Sequence, residues 1–134
     1  MRSLIPLALM GAIFLLSAQP GGDPLAWWEV LLRKLGHFGG YAALALLWSW
    51  ALAPAMRRPL PWALAIAVLY GVSDEYHQTL VEGRRGTALD VSIDALGAVA
   101  GTLFARWLAL RRLRGSDPAV LGRHQHGLGA IERS

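Results

Sequence analysis

Two acids, a histidine and an amide stand together in Ser73-Asp74-Glu75-Tyr76-His77-Gln78, directly after the uncharged run PLPWALAIAVLYGV at 59–72. Carboxylates and imidazole exchange protons near neutral pH, and a carboxylate also serves as a nucleophile. Two further sets share the chemistry. Lys34, His37 and Tyr41 are spaced i, i+3, i+7, and Asp90, Asp94, Gly97 and Gly101 are spaced i, i+4, i+7, i+11. On helices each set forms one face, as do Asp74, His77 and Gln78, with Gly71 a turn below. If the three stripes converge they build one polar pocket. In an enzyme, Asp74, Glu75, His77 and Asp94 would supply acid, base or nucleophile. In a binding protein, Lys34, His37, Tyr41, Asp74, Gln78 and Arg84 would contact the ligand, Lys34 and Arg84 being suited to a phosphate or pyrophosphate. No serine-based triad is evident; spacing signals no metal or cofactor, and leaves open a metal held by Asp, Glu and His.

Each set also has a structural reading. Asp74 and Asp94 would pair with Lys34, Arg84 or Arg85 and hold helices together. Thr87 and Asp90 match a helix N-cap and its third-position partner, so a structural role is expected for Asp90. His37 and Tyr41 would reach out to lipid headgroups. Gly97 and Gly101 form a Gly-x-x-x-Gly packing pair.

The elements that carry these residues are apolar. The chain of 134 residues is 54% hydrophobic and 16% charged, against about 25% charged in soluble domains. The apolar residues fall in four blocks, 4–18, 38–56, 60–72 and 88–110, which implies an all-α, membrane-embedded four-helix bundle over residues 1–114. The first block is read as a helix, the alternative being a signal peptide cut near Ser17-Ala18-Gln19. Asp23 and Pro24 read as the start of the second helix, with Glu29 and Arg33 as a pair one turn apart. The block at 60–72 rises only about 20 Å against roughly 30 Å of hydrocarbon, so its helix must run on through Asp74, Glu75 and His77. The fourth helix must likewise take in Asp94 and Asp90. The Gly- and polar-rich stretch 115–134, with His124 and His126, reads as a flexible tail.

The net charge is +4 and cysteine is absent, which excludes disulfides, thiol catalysis and thiolate metal sites. The arginines lie between and after the apolar blocks and read as topology signals, not as a nucleic-acid surface. With the N-terminus inside, the inner ends carry Arg2, Arg57, Arg58, Arg106, Arg111, Arg112 and Arg114, and the outer ends only Arg33, Lys34, Arg84 and Arg85. The positive-inside rule then places both termini in the cytoplasm and every polar stripe at the outer end.

KLGHFGGYAALALL at 34–47 and SDEYHQTLVEGRRGTALDVSIDALGAVAGTLFA at 73–105 resemble the VanZ-like family of small bacterial membrane proteins. The matching positions are Lys34, His37, Phe38 and Tyr41; Asp74, Glu75, His77 and Gln78; Gly83 and Arg84; and Asp90, Asp94 and Gly97. Many members carry Pro-Gly-Arg where this chain has Glu82-Gly83-Arg84. The resemblance implies a four-helix domain in the inner membrane; the family's founding member is associated with low-level teicoplanin resistance. The function expected is binding of an anionic envelope lipid or lipid-like antibiotic in an outward-facing pocket. The alternative is an enzyme acting on a lipid-linked phosphate or envelope precursor.

Overall fold

The structure, a computed structural model, describes residues 1–20 and 26–115. Four α-helices follow in order: α1 (Leu4–Ser17), α2 (Trp27–Leu52), α3 (Pro59–Gln78) and α4 (Ala88–Gly115). Asp23 and Pro24, and the stretch after Gly115 with His124 and His126, lie outside the described residues. The start expected at Asp23-Pro24 is displaced: Ala26 is extended, and α2 begins at Trp27. The Glu29 carboxylate accepts the Ala26 N–H at 2.7 Å, satisfying an otherwise orphan donor. It forms no ion pair with Arg33.

Local chemistry sets the other boundaries. Pro54 has no N–H to extend α2. Pro59 opens α3 at a position where a missing N–H costs nothing. The helix then runs unbroken through Asp74, Glu75 and His77 to Gln78, as expected. Gly83 turns the chain with φ 72°, a left-handed conformation that favours glycine. Thr87 caps α4: its Oγ1 accepts the Asp90 N–H at 3.2 Å and donates to Asp90 Oδ2 at 2.6 Å. Asp90 and Asp94 therefore lie inside the helix.

Successive helices alternate in direction, which brings Arg2 over the Trp50 ring and Ser17 to Asp74. α2 and α4 consequently run parallel, and they share the most extensive contact in the molecule. Phe38 and Ala42 on α2 present backbone carbonyls to Gly97 and Gly101 on α4, so close that a Cβ at either glycine would collide with them. The core around this seam is Tyr41, Leu44, Ala45, Ala67 and Ala98. α1 packs on α2 and α3. By length and hydropathy, α4 is the one described helix that clearly suffices to cross a membrane; α1 is apolar but only 14 residues long.

Candidate functional site

The polar residues of α2, α3 and α4 do meet, at the end of the bundle where α1 and α3 finish and α2 and α4 begin. Parallel α2 and α4 set the register: Lys34 reaches Asp90, with Nζ 2.6 Å from Oδ1, and one turn on His37 Nδ1 lies 3.1 Å from Asp94 Oδ1. Glu75 enters from α3, its Oε1 3.7 Å from His37 Nδ1. The acids are deeply buried: Asp94 is 1% exposed, Asp74 2% and Glu75 4%.

Side-chain amides and backbone groups tie the acids together. Gln78 Nε2 donates to Glu75 Oε1 at 3.2 Å and to Asp74 Oδ2 at 3.3 Å. The Thr87 N–H donates to Glu75 Oε2 at 3.2 Å. Gly86 makes this possible, since a side chain there would strike the Glu75 carbonyl. Asp74 Oδ1 accepts the Ser17 hydroxyl at 2.5 Å. Asp94 Oδ2 and the Tyr41 hydroxyl are buried without a hydrogen-bond partner among the described residues.

Two cavities flank this cluster. The larger, about 240 Å³, lies between α1, α2 and α3; Ile13 and Leu16 give it an apolar wall, and Arg33, His37, Asp74 and Arg84 give it polar edges. The smaller, about 150 Å³, lies on the α4 side against Lys34, Glu75, Arg85 and Asp90. His37 and Arg33 line both.

Arg84 is fixed by three bonds, to Gln19 O (2.9 Å), Leu16 O (3.1 Å) and Gln78 Oε1 (3.3 Å). A guanidinium has five N–H groups, so two are left for a ligand. Burial and the nearby Arg33 pull Arg84 below its ordinary pKa, while Asp74 and Glu75 draw it back up. Arg33 makes no hydrogen bond or ion pair among the described residues.

Three expectations need correction. Asp74 and Asp94 do not pair with Lys34, Arg84 or Arg85: Lys34 is taken by Asp90, Arg84 by carbonyls and Gln78, and Asp94 by His37. His77 does not join the acids. Its ring lies tilted against Phe14 of α1 with centroids 4.6 Å apart, and its buried Nδ1 has no hydrogen-bond partner among the described residues. His37 does not reach out to headgroup level, since it is tied to Asp94, and Tyr41 is 1% exposed. Ser17 and Arg33 are the residues that sequence reasoning passed over. Ser17 is the last residue of α1 and so lies at the depth of the acids, a position readable from the block lengths.

A family model described as VanZ/LLP1 matches residues 2–110. No curated protein matches the chain. No solved structure matches it either. The match takes in α1, α2, α3, most of α4 and every polar residue of the site: the chain belongs to the VanZ/LLP1 family.

Proposed function

We propose that this protein is a multi-pass protein of the bacterial inner membrane that binds the anionic headgroup of an envelope lipid, or of a lipid-like antibiotic, in a pocket open to the outer side. Membrane embedding is supported by an inverted distribution of side chains. The buried set is mostly Ala, Gly and Ser with Asp74, Glu75, Gln78 and Asp94, while Leu15, Leu69, Leu96, Leu103 and Leu113 stand more than half exposed. In water such a surface would aggregate; in lipid it is the expected one. The arginine distribution orients the bundle with both termini inside.

One observation carries the binding reading. Arg33 and Arg84 line a cavity of about 240 Å³ that also has an apolar wall, and neither forms an ion pair with a carboxylate among the described residues. Two cations and an oily wall match a phosphorylated or carboxylated headgroup joined to an acyl chain. Envelope maintenance, or resistance to a glycopeptide of the teicoplanin type, would follow from holding such a molecule. The buried acids beside the cavity favour a second reading, turnover of a lipid-linked phosphate by Glu75 and Asp94; His77, turned toward Phe14, has no place in it.

The test is lipid retention by purified protein, measured by mass spectrometry. A hydrogen bond to a charged group contributes about 1.5–3 kcal/mol, so Arg33→Gln and Arg84→Gln should each lower retained anionic lipid by roughly ten-fold or more. Arg57→Gln and Arg106→Gln, at the other end, should retain it. Equal retention in all four variants would sink the reading, and consumption of the lipid on incubation would favour the enzyme.

A further inference from the structure

We propose that His37, Glu75 and Asp94 form a binding site for one divalent first-row transition-metal ion. His37 Nδ1 lies 3.1 Å from Asp94 Oδ1 and 3.7 Å from Glu75 Oε1, and the three residues offer ligand atoms all within 4.8 Å of one another. Two atoms each about 2.1 Å from a shared ion sit roughly 3.0–3.5 Å apart at octahedral to tetrahedral angles. The first distance already fits, and the second needs a shift of a few tenths of an ångström.

Charge supplies an independent argument. No Lys or Arg among the described residues forms an ion pair with Glu75 or Asp94, although Asp94 is 1% and Glu75 4% exposed. When both carboxylates are ionised, a single imidazolium balances only one of them, and an uncompensated buried charge is costly. A dication balances both and leaves the imidazole neutral, the form that ligates. Asp94 Oδ2 is buried without a hydrogen-bond partner among the described residues, so this carboxylate keeps lone pairs that no protein donor satisfies.

The surroundings match what metal centres use. Gln78 Nε2 and the Thr87 N–H hold the two oxygens of Glu75 from outside, as second-layer donors orient a ligating carboxylate. His37 borders both cavities and Glu75 the smaller one, so an ion has a path in and room for exchangeable ligands. One imidazole with two carboxylates suits zinc, manganese or iron better than magnesium or calcium. Spacing along the chain could not announce the site, because its ligands come from three helices.

The site rests on these side chains and not on the lipid reading, so the test uses metal alone, in detergent, with no lipid added. His124 and His126 are a rival source of ligands, and the background is therefore the H124A/H126A chain. Protein stripped with chelator should take up one equivalent of Zn2+ or Co2+ per chain and not Mg2+, and bound Co2+ should show visible absorption of nitrogen–oxygen ligation. Absence of uptake in this background overturns the proposal before any site variant is made, so a variant that fails to fold does not remove the test. Glu75→Gln and Asp94→Asn should each weaken Zn2+ binding at least ~100-fold, at or beyond the 10–100-fold that loss of an outer partner costs. Glu82→Gln, an exposed loop acid, should bind as the background does. Unchanged affinity in both site variants would place the ion elsewhere and overturn the assignment.

Discussion

The seam between α2 and α4 and the attachment of α1 hold the same bundle by opposite means. At the seam, Gly97 and Gly101 let two helices approach until backbone meets backbone, and contact is by shape. α1 buries only Pro6 and Ser17. It is fastened by directional contacts: Ser17 to Asp74, Tyr70 Oη to the Met10 carbonyl at 2.6 Å, Arg84 to the Leu16 and Gln19 carbonyls, and Phe14 on His77. The larger cavity lies between these regimes, with α2 as its rigid wall and α1 as its hydrogen-bonded one. Ligand access is therefore expected to depend on α1, and the geometry of His37 and Asp94 on the seam.

The largest effect is expected from breaking the seam. Gly97→Leu drives a side chain into the Phe38 carbonyl, and backbone cannot step aside as a flexible side chain can. Overpacking a core typically costs 1–3 kcal/mol, and here the loss should exceed ~3 kcal/mol or prevent folding. The denaturation midpoint in detergent measures it; a midpoint equal to wild type would show that α2 and α4 do not touch at this residue.

A smaller, local effect is expected from unfastening α1. Ser17→Ala leaves Asp74 Oδ1 without its donor, a loss of about 1–3 kcal/mol for a buried group. Hydrogen exchange should rise along α1 and stay low along α2 and α4. A uniform rise would mean that α1 and the seam unfold as one unit, and the contrast drawn above would fail.

The smallest effect is expected at the rim. Asp90→Asn removes the Lys34 ion pair, whose side chains are 33% and 23% exposed, so the pair should contribute about 1 kcal/mol or less. A double-mutant cycle with Lys34→Met gives the coupling directly. A coupling of several kcal/mol would place Asp90 with the buried acids instead of at the rim.

The helices and their polar ends were legible from a length argument. A run too short to cross hydrocarbon was expected to continue, and α3 and α4 do continue through their acids. The Thr87–Asp90 cap was legible because it is local. The face of α3 was not. At about 100° per residue, Asp74, His77 and Gln78 span an arc of roughly 100°, and so do Asp74, Glu75 and Gln78. Periodicity cannot choose between the two. A signal did exist one level down: the small residues Ala63, Ala67 and Gly71 are buried at every fourth position, and the next step of that series is Glu75.

From the sequence alone follow an all-helical chain, four apolar blocks, acids carried inside helices, and all the polar motifs at one end. These are consequences of composition, length and local capping, which act within a segment. Which acid meets which base was decided only in three dimensions. Lys34 takes Asp90, and His37 takes Asp94 with Glu75 beside it, because α2 and α4 lie parallel in a register set by glycines against carbonyls. That register is a property of two surfaces in contact, and neither helix contains it.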